Sequence, residues 1–123
     1  MQVNVITEAI ITAGMKVHSK LGPGLLESAY RACLAHELRA RGFKVLEELT
    51  LPVRYDDIEI DAGYRMDLMV EDQVIVELKA CDRLLPIHEA QLLTYLKLSG
   101  KKIGLLLNFN VEHFRDGIRR MAN

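Results

Sequence analysis

Cysteine is scarce in this sequence, and the two that occur, Cys33 and Cys81, stand far apart. Neither has a partner at the spacing of a metal site, which argues against a disulfide framework and a cysteine-based metal centre. Isolated thiols are typical of a reducing compartment, and the first ten residues lack the basic segment and long apolar run of a signal peptide. No apolar stretch reaches the length of a membrane span. We therefore expect a cytoplasmic protein that does not enter a membrane.

A strong charge of either sign is also missing. The 123 residues carry a net charge of -1, and their 50% apolar and 27% charged content is ordinary for a globular protein rather than a disordered one. A near-neutral chain does not attract nucleic acid through its overall field, so a local patch or a metal would have to bind a polyanion. Repeats, linkers, a phosphate loop, a dinucleotide fingerprint and a Ser/His/Asp arrangement are all lacking. The length predicts one domain, residues 1–123.

Apolar residues at helical spacing predict three helices. The first runs from Ile6 to Leu21 and ends at a Gly-Pro-Gly loop, because glycine and proline end helices. The second runs from Leu25 to the residue before Gly42. The third begins at Pro86, which suits a first helical turn, and continues to Ser99. The tail, Val111 to Met121, is predicted to be a short basic helix or ordered coil.

Four stretches have the composition of β-strands. Phe43–Val53 predicts an extended strand whose proline marks an edge or an end, and Ile58–Ile60 predicts a short strand. Gly63–Ala80 predicts a β-hairpin with a polar break at Glu71–Gln73. The nearly all-apolar run Lys102–Phe109 is typical of a strand covered on both faces. The order α-α-β-β-β-α-β-α predicts an α/β sandwich with a mixed central sheet.

The hairpin carries charges where strands of this composition should be apolar. Glu77 and Lys79 point to the same side of the second strand, and Asp67 lies on the first. Unpaired charges are costly to bury, and a divalent cation would compensate them. Carboxylates with a lysine suit Mg²⁺ or Mn²⁺, which could hold a phosphate oxygen and lower the pKa of a bound water. Three polar residues in apolar helical settings join this set: Glu27, Gln91 and Tyr95.

These residues resemble the signature of a known family. Asp67, followed after the hairpin by Glu77-Leu78-Lys79, resembles the motif of the PD-(D/E)XK nuclease superfamily. The segment Gly24–Tyr30, GLLESAY, matches the motif of the small bacterial GxxExxY proteins within it. Gln91–Tyr95, QLLTY, resembles the QxxxY motif of its RecB-like and phage-exonuclease-like branches. The resemblance extends from the first helix to Met121.

The resemblance implies a restriction-endonuclease-like core, in which helices flank a mixed central β-sheet, and this agrees with the predicted order of elements. It also implies a site for Mg²⁺ or Mn²⁺. Asp67 and Glu77 would be the principal metal ligands, together with the backbone carbonyl of Leu78. Glu27 would reach the metal from the second helix, directly or through water.

The remaining residues of the implied site act on the substrate. Lys79 would position the attacking water, and Gln91 with Tyr95 would brace the site or touch the phosphate backbone. His18 precedes the Gly-Pro-Gly loop. It either caps local backbone, which is the commoner role, or contacts phosphate or donates a proton. His88, one turn before Gln91, either approaches the substrate or is an exposed helix residue.

Each motif alone is common, since Glu-x-Lys arises on any solvated strand face; the combination predicts the metal site. The leading hypothesis is a Mg²⁺-dependent nuclease that cleaves DNA through metal-activated water. The alternative is a catalytically weak or inactive module that binds nucleic acid or a protein partner. A domain of this size has little surface for sequence recognition, so a homodimer or a partner protein would assist it.

Six basic residues form either a patch or, as the near-neutral total favours, a scattered surface: Lys97, Lys101, Lys102, Arg115, Arg119 and Arg120.

Overall fold

Three α-helices and a short 3-10 turn form the helical part of the structure, a computed structural model that describes all residues from Met1 to Asn123. The bounds are α1 Val3–Leu21, α2 Glu27–Ala40, α3 Pro86–Ser99 and the 3-10 turn Phe114–Gly117. α1 ends at Gly22, whose φ of +66° glycine adopts readily. α2 begins two residues later than predicted because Leu26 is still extended. α3 has the predicted bounds, and none of the helices combines the length and apolarity needed to cross a membrane.

Seven strands follow from the alternating and apolar runs: β1 Val45–Thr50, β2 Val53–Tyr55, β3 Ile58–Ile60, β4 Arg65–Val70, β5 Val74–Lys79, β6 Ile103–Asn108 and β7 Ile118–Ala122. Five of them form one sheet in the order β1-β4-β5-β6-β7, while β2 and β3 form a separate hairpin. Only β5 and β6 are parallel, and α3 makes the crossover that parallel neighbours require. The predicted α/β architecture, a mixed central sheet flanked by helices, is confirmed.

Two predictions about strands and the tail are wrong. The predicted strand Phe43–Val53 is two strands, separated at Leu51 and Pro52 because proline cannot donate a ladder hydrogen bond. The tail, predicted as helix or coil, forms the 3-10 turn and then β7. β7 pairs antiparallel with β6, from Ile103 opposite Ala122 to Leu107 opposite Ile118. This remote pairing overrides the weak local pattern of the tail.

The sheet separates two apolar clusters. The larger packs α1 and α2 against one face, and the smaller packs α3 against the other. The central strands serve both, since Val76 and Leu105 lie in the larger cluster while Ile75 and Leu106 lie in the smaller one. This confirms that β6 is covered on both faces. Glu77, on the same side of β5 as Ile75, is thereby directed towards α3.

Candidate active site

The β4–β5 hairpin sets the position of the two strand carboxylates. Its turn residues Glu71 and Asp72 have φ of +53° and +54°, the positive values whose twist suits a tight hairpin. The pairs Val70–Val74 and Leu68–Val76 fix the register. The next pair in that register would be residues 67 and 77. The hairpin therefore brings Asp67 and Glu77 side by side, as the sequence predicts.

Each of these carboxylates accepts a hydrogen bond from the backbone of the other strand. The backbone N–H of Asp67 donates to Glu77 Oε1 over 3.0 Å. The backbone N–H of Leu78 donates to Asp67 Oδ2 over 2.8 Å. One oxygen of each carboxylate, Asp67 Oδ1 and Glu77 Oε2, accepts no backbone hydrogen bond, and the two carboxyl groups lie close enough to hydrogen-bond each other.

The sheet is locally open at Asp67. The β1–β4 pairing passes from Glu47–Leu68 to Leu49–Met66 and omits the intervening pair. Glu48, which would face Asp67, has φ of +50°, a strained value for a residue with a side chain. The strands rotate there: Met66 packs in the cluster beneath α3, whereas Leu68 packs in the other. Backbone strain of this kind concentrates at functional sites, and here it lies beside the carboxylate pair.

Glu77 is a buried acid in an unfavourable electrostatic setting. Only 5% of the residue is exposed. Burial, and then the negative charge of Asp67, raise the pKa of Glu77 from 4.5 to about 8, and Lys79 opposes the rise. At neutral pH the site therefore lacks the positive charge needed to hold both acids ionised. Two oxygen ligands with unfilled acceptor positions fit a hard divalent cation.

Lys79 and α3 complete the site on the same side of the sheet. Lys79 Nζ lies 3.5 Å from Gln91 Oε1, so strand and helix meet through this pair. Tyr95 is buried one turn further along α3. Burial, and then the charges of Glu77 and Asp67, raise the pKa of Tyr95 above its ordinary value, which indicates that the phenol faces the two acids. Lys79, Gln91 and Tyr95 also line a cleft of about 570 Å³.

The family model of the PD-(D/E)XK nuclease superfamily matches residues 4–121. The chain belongs to this superfamily. Comparisons with curated proteins and with solved structures return no match. The resemblance predicted from the sequence is confirmed at the level of the superfamily, and the narrower likeness to GxxExxY proteins stays a prediction.

PD-(D/E)XK nucleases generally use divalent metals. This chain offers two carboxylates at the site, and it has no group of three or more His, Cys, Asp or Glu side chains arranged to hold a metal. Mg²⁺ commonly binds through one or two carboxylates plus water and substrate phosphate, so the pair is a sufficient protein contribution. The assignment of Asp67, Glu77 and the Leu78 carbonyl as metal ligands stays a prediction.

Glu27, the third carboxylate of the predicted PD-(D/E)XK site, stands apart from the pair. It is exposed at the first position of α2, and the structure does not bring it into a three-carboxylate group. Its position depends on Tyr30, the last residue of the GLLESAY segment. The Tyr30 hydroxyl donates to the Gly22 carbonyl over 2.5 Å and accepts from the Leu25 N–H over 3.1 Å. Tyr30 thus fixes the loop that leads to Glu27.

The two histidines considered in the sequence analysis, His18 and His88, both have backbone partners. His18 is buried, and its Nε2 lies 2.6 Å from the carbonyl oxygen of Val111, so it binds backbone, but the partner is remote and the predicted local cap is wrong. His88 Nδ1 accepts the N–H of Leu85 over 3.0 Å and caps the start of α3. His88 also lines the cleft beside Lys79, which keeps it close to any bound substrate.

The six basic residues of the C-terminal half lie outside the cleft. Its only lysine or arginine is Lys79. Lys101 forms a salt bridge of 3.3 Å with Asp72, and Arg120 donates to the Asn4 side chain at 2.9 Å.

Sequence reasoning also missed Tyr64, whose ring meets that of Tyr95 edge-on with 6.2 Å between centroids. No periodic pattern singles out Tyr64, because it lies in a loop.

Proposed function

We propose that this chain is a Mg²⁺- or Mn²⁺-dependent phosphodiesterase that cleaves nucleic acid, DNA in the first instance. The observation that carries this proposal is the carboxylate pair Asp67–Glu77. The pair is held by two backbone hydrogen bonds, each of which uses one oxygen of a carboxylate, and it lies beside Lys79, which lines a cleft. Membership of the PD-(D/E)XK nuclease superfamily supports it.

Asp67 and Glu77 would hold the metal, with the carbonyl of Leu78 as a third ligand. Glu27, exposed at the start of α2, would contribute through water. When bound, the cation supplies Lewis-acid stabilisation of the charge at phosphorus and lowers the pKa of a coordinated water. The protein's part is to orient the two acids. The hydrogen bonds from the Asp67 and Leu78 amides serve that purpose and favour the charged carboxylates, although burial outweighs them at Glu77 until a cation binds.

Lys79 would orient the water for attack at phosphorus and offset negative charge on the phosphate. Gln91 accepts from the Lys79 ammonium at 3.5 Å and so limits its rotation. Tyr95, buried on α3, would support the acids from that side. These roles require no movement of the backbone, since the strand and helix that carry the residues belong to the core.

The decisive experiment combines a cleavage assay with a metal-binding assay. Lys79→Ala should lower Mg²⁺-dependent cleavage of labelled DNA by about 100- to 1,000-fold, because it removes one charged stabilising group. It should keep the Mg²⁺-induced rise in Tm, whereas Asp67→Asn should abolish both. Lys97→Ala, at an exposed lysine on α3, is the matched control and should cleave normally. Wild-type cleavage rates in Lys79→Ala would refute the proposed site.

A second candidate function is a catalytically weak module that binds nucleic acid or a protein partner, including a second copy of the chain. The β2–β3 hairpin favours it, because Tyr55, Ile58 and Ile60 expose apolar surface there. Metal binding without cleavage of single- or double-stranded DNA or RNA would support this candidate. Cleavage that depends on Lys79 would exclude it.

A further inference from the structure

We propose that the cleft beside the carboxylate pair binds one unstacked nucleobase against Tyr64, so that the preferred substrate is single-stranded or frayed nucleic acid. The inference rests on the proposed phosphodiesterase function, which puts the substrate phosphate beside Lys79. It adds a substrate class and a recognition residue, Tyr64, to that function.

The walls of the cleft have the chemistry of a base-binding site. Val53, Tyr64, Ile87 and Leu98 supply apolar and aromatic surface. Gln91, Thr94 and His88 supply hydrogen-bonding groups, and no carboxylate lines the cleft. Its volume of about 570 Å³ lies within the ~300–1,000 Å³ typical of small-ligand pockets. A planar aromatic ligand with polar edges matches this combination of walls.

Tyr64 is held in place before any ligand arrives. Its carbonyl accepts the N–H of buried Leu51 over 2.9 Å. The preceding Gly63 has φ of +78°, and its N–H donates to Asp61 Oδ1 over 3.0 Å, which closes the turn. The Tyr95 ring meets the Tyr64 ring at 61°, while 45% of Tyr64 remains exposed. A fixed, half-exposed aromatic ring loses little entropy when a base stacks on it.

Lys79 connects the cleft with the carboxylate pair. Lys79 follows Glu77 by two residues on β5 and also lines the cleft, as does its partner Gln91. A phosphate at Lys79 therefore places an adjoining base at the cleft. A base in a duplex is stacked and paired and cannot enter without being extruded, whereas a base in a single strand is free to do so.

The charge of the protein points the same way. Duplex binding draws on many phosphate contacts from lysine and arginine, and this chain has a net charge of -1 with one cation in the cleft. Single-strand binding draws on base–aromatic stacking, which each suitably placed ring supplies. A near-neutral protein with an aromatic cleft is therefore better matched to a single strand.

Fluorescence anisotropy with a labelled 12-nucleotide single strand, in EDTA and in Ca²⁺, tests this inference independently of catalysis. Tyr64→Ala should weaken binding roughly 5- to 100-fold, the loss associated with one stacked base. Tyr64→Phe keeps the ring and should bind as the wild type does. Leu46→Ala removes an apolar side chain of similar exposure outside the cleft and is the matched control. The blunt duplex of the same sequence should bind more weakly, and a single-stranded RNA should respond to the same variants.

Tyr64→Leu, which keeps apolar bulk without a π face, replaces Tyr64→Ala if the latter unfolds. Wild-type affinity in Tyr64→Ala or Tyr64→Leu would overturn the inference. Equal losses for single strand and duplex, or no single-strand binding by the wild type, would overturn it too. If the wild type cleaves nucleic acid but the Tyr64 variants bind it normally, this inference is wrong and the proposed phosphodiesterase function stands. Tyr64-dependent binding without any metal-dependent cleavage would instead remove the proposed phosphodiesterase and keep the base site.

Discussion

Glu77 combines two requirements that oppose each other at the scale of a single residue. Its burial raises the energy of the charged form, and metal binding needs that form. The charged or titratable groups around it are Asp67, Lys79 and Tyr95, of which Lys79 alone favours ionisation. Without a cation, the protonated form is therefore the stable one up to a pH of about 8.

This balance predicts the pH dependence of stability in EDTA. The pKa of Glu77 rises from 4.5 in the unfolded chain to about 8 in the folded one, so the folded state binds the extra proton between these values. Its stabilising effect is complete below pH 4.5 and is lost as the pH rises through about 8. Glu77→Gln removes the titration, so its stability relative to the wild type should increase from pH 5 to pH 9, by at most roughly 5 kcal/mol.

Urea unfolding of the wild type and Glu77→Gln at several pH values measures this difference. Glu59→Gln, at an exposed position on β3, is the control and should show no such trend. A constant difference between Glu77→Gln and the wild type from pH 5 to pH 9 would contradict the assigned pKa.

The residues of the site differ in how far the sequence predicts them. Glu77 and Lys79 follow from strand alternation, because a period of two places them on one face beside a core residue. Asp67 follows from the hairpin register. Tyr64 does not, since its place depends on a hydrogen bond to Leu51, thirteen positions earlier, and on the ring of Tyr95. The strain at Glu48 also has no local signal in the sequence.

At the scale of elements, the loop between α1 and α2 depends on one buried side chain. The Tyr30 ring stacks on Phe109 with 4.6 Å between centroids, and its hydroxyl joins Gly22 to Leu25. Tyr30→Phe keeps the stacking and removes both hydrogen bonds. We expect a loss of about 1–3 kcal/mol in the free energy of unfolding, because two hydrogen bonds of a buried side chain are lost.

Chemical denaturation measures this loss, with Tyr55→Phe at an exposed hydroxyl as the control. If Glu27 contributes to metal binding, Tyr30→Phe should also weaken the metal-induced rise in Tm. Unchanged stability in Tyr30→Phe would show that the loop is held by its backbone alone.

The elements also separate into those that local sequence determines and those that it does not. The three helices have apolar stripes and glycine or proline ends, so their positions are predicted within a few residues. β7 has five residues with two adjacent arginines, and its strand conformation comes from pairing with β6. Phe114 reinforces this by packing against α1 so closely that a Cβ at Gly14 would overlap its ring.

For the whole molecule, metal binding and protonation are linked. Below pH about 8, a metal that binds Glu77 must displace its proton, so each unit of pH changes the affinity up to tenfold. The Mg²⁺-induced rise in Tm should therefore be larger at pH 8 than at pH 6. A hundredfold change in affinity corresponds to at most about 2.7 kcal/mol, or several degrees for a domain of this size.

Differential scanning calorimetry at both pH values, with EDTA as the reference, measures this difference. Glu77→Gln should show little response to Mg²⁺ at either pH. An equal rise at pH 6 and pH 8 in the wild type would place the metal away from Glu77.

The hydrogen bonds that join the carboxylates to the opposite strands have an evolutionary consequence. Asp67 and Glu77 each accept a hydrogen bond from a backbone N–H of the neighbouring strand. A substitution that removes either acid therefore also leaves a backbone amide in the middle of the sheet without its acceptor. Lys79 carries no such structural duty, because its ammonium bonds only the Gln91 side chain. In relatives that have lost the cleavage activity, we therefore expect the lysine to be substituted first and the two acids to be retained for their structural role.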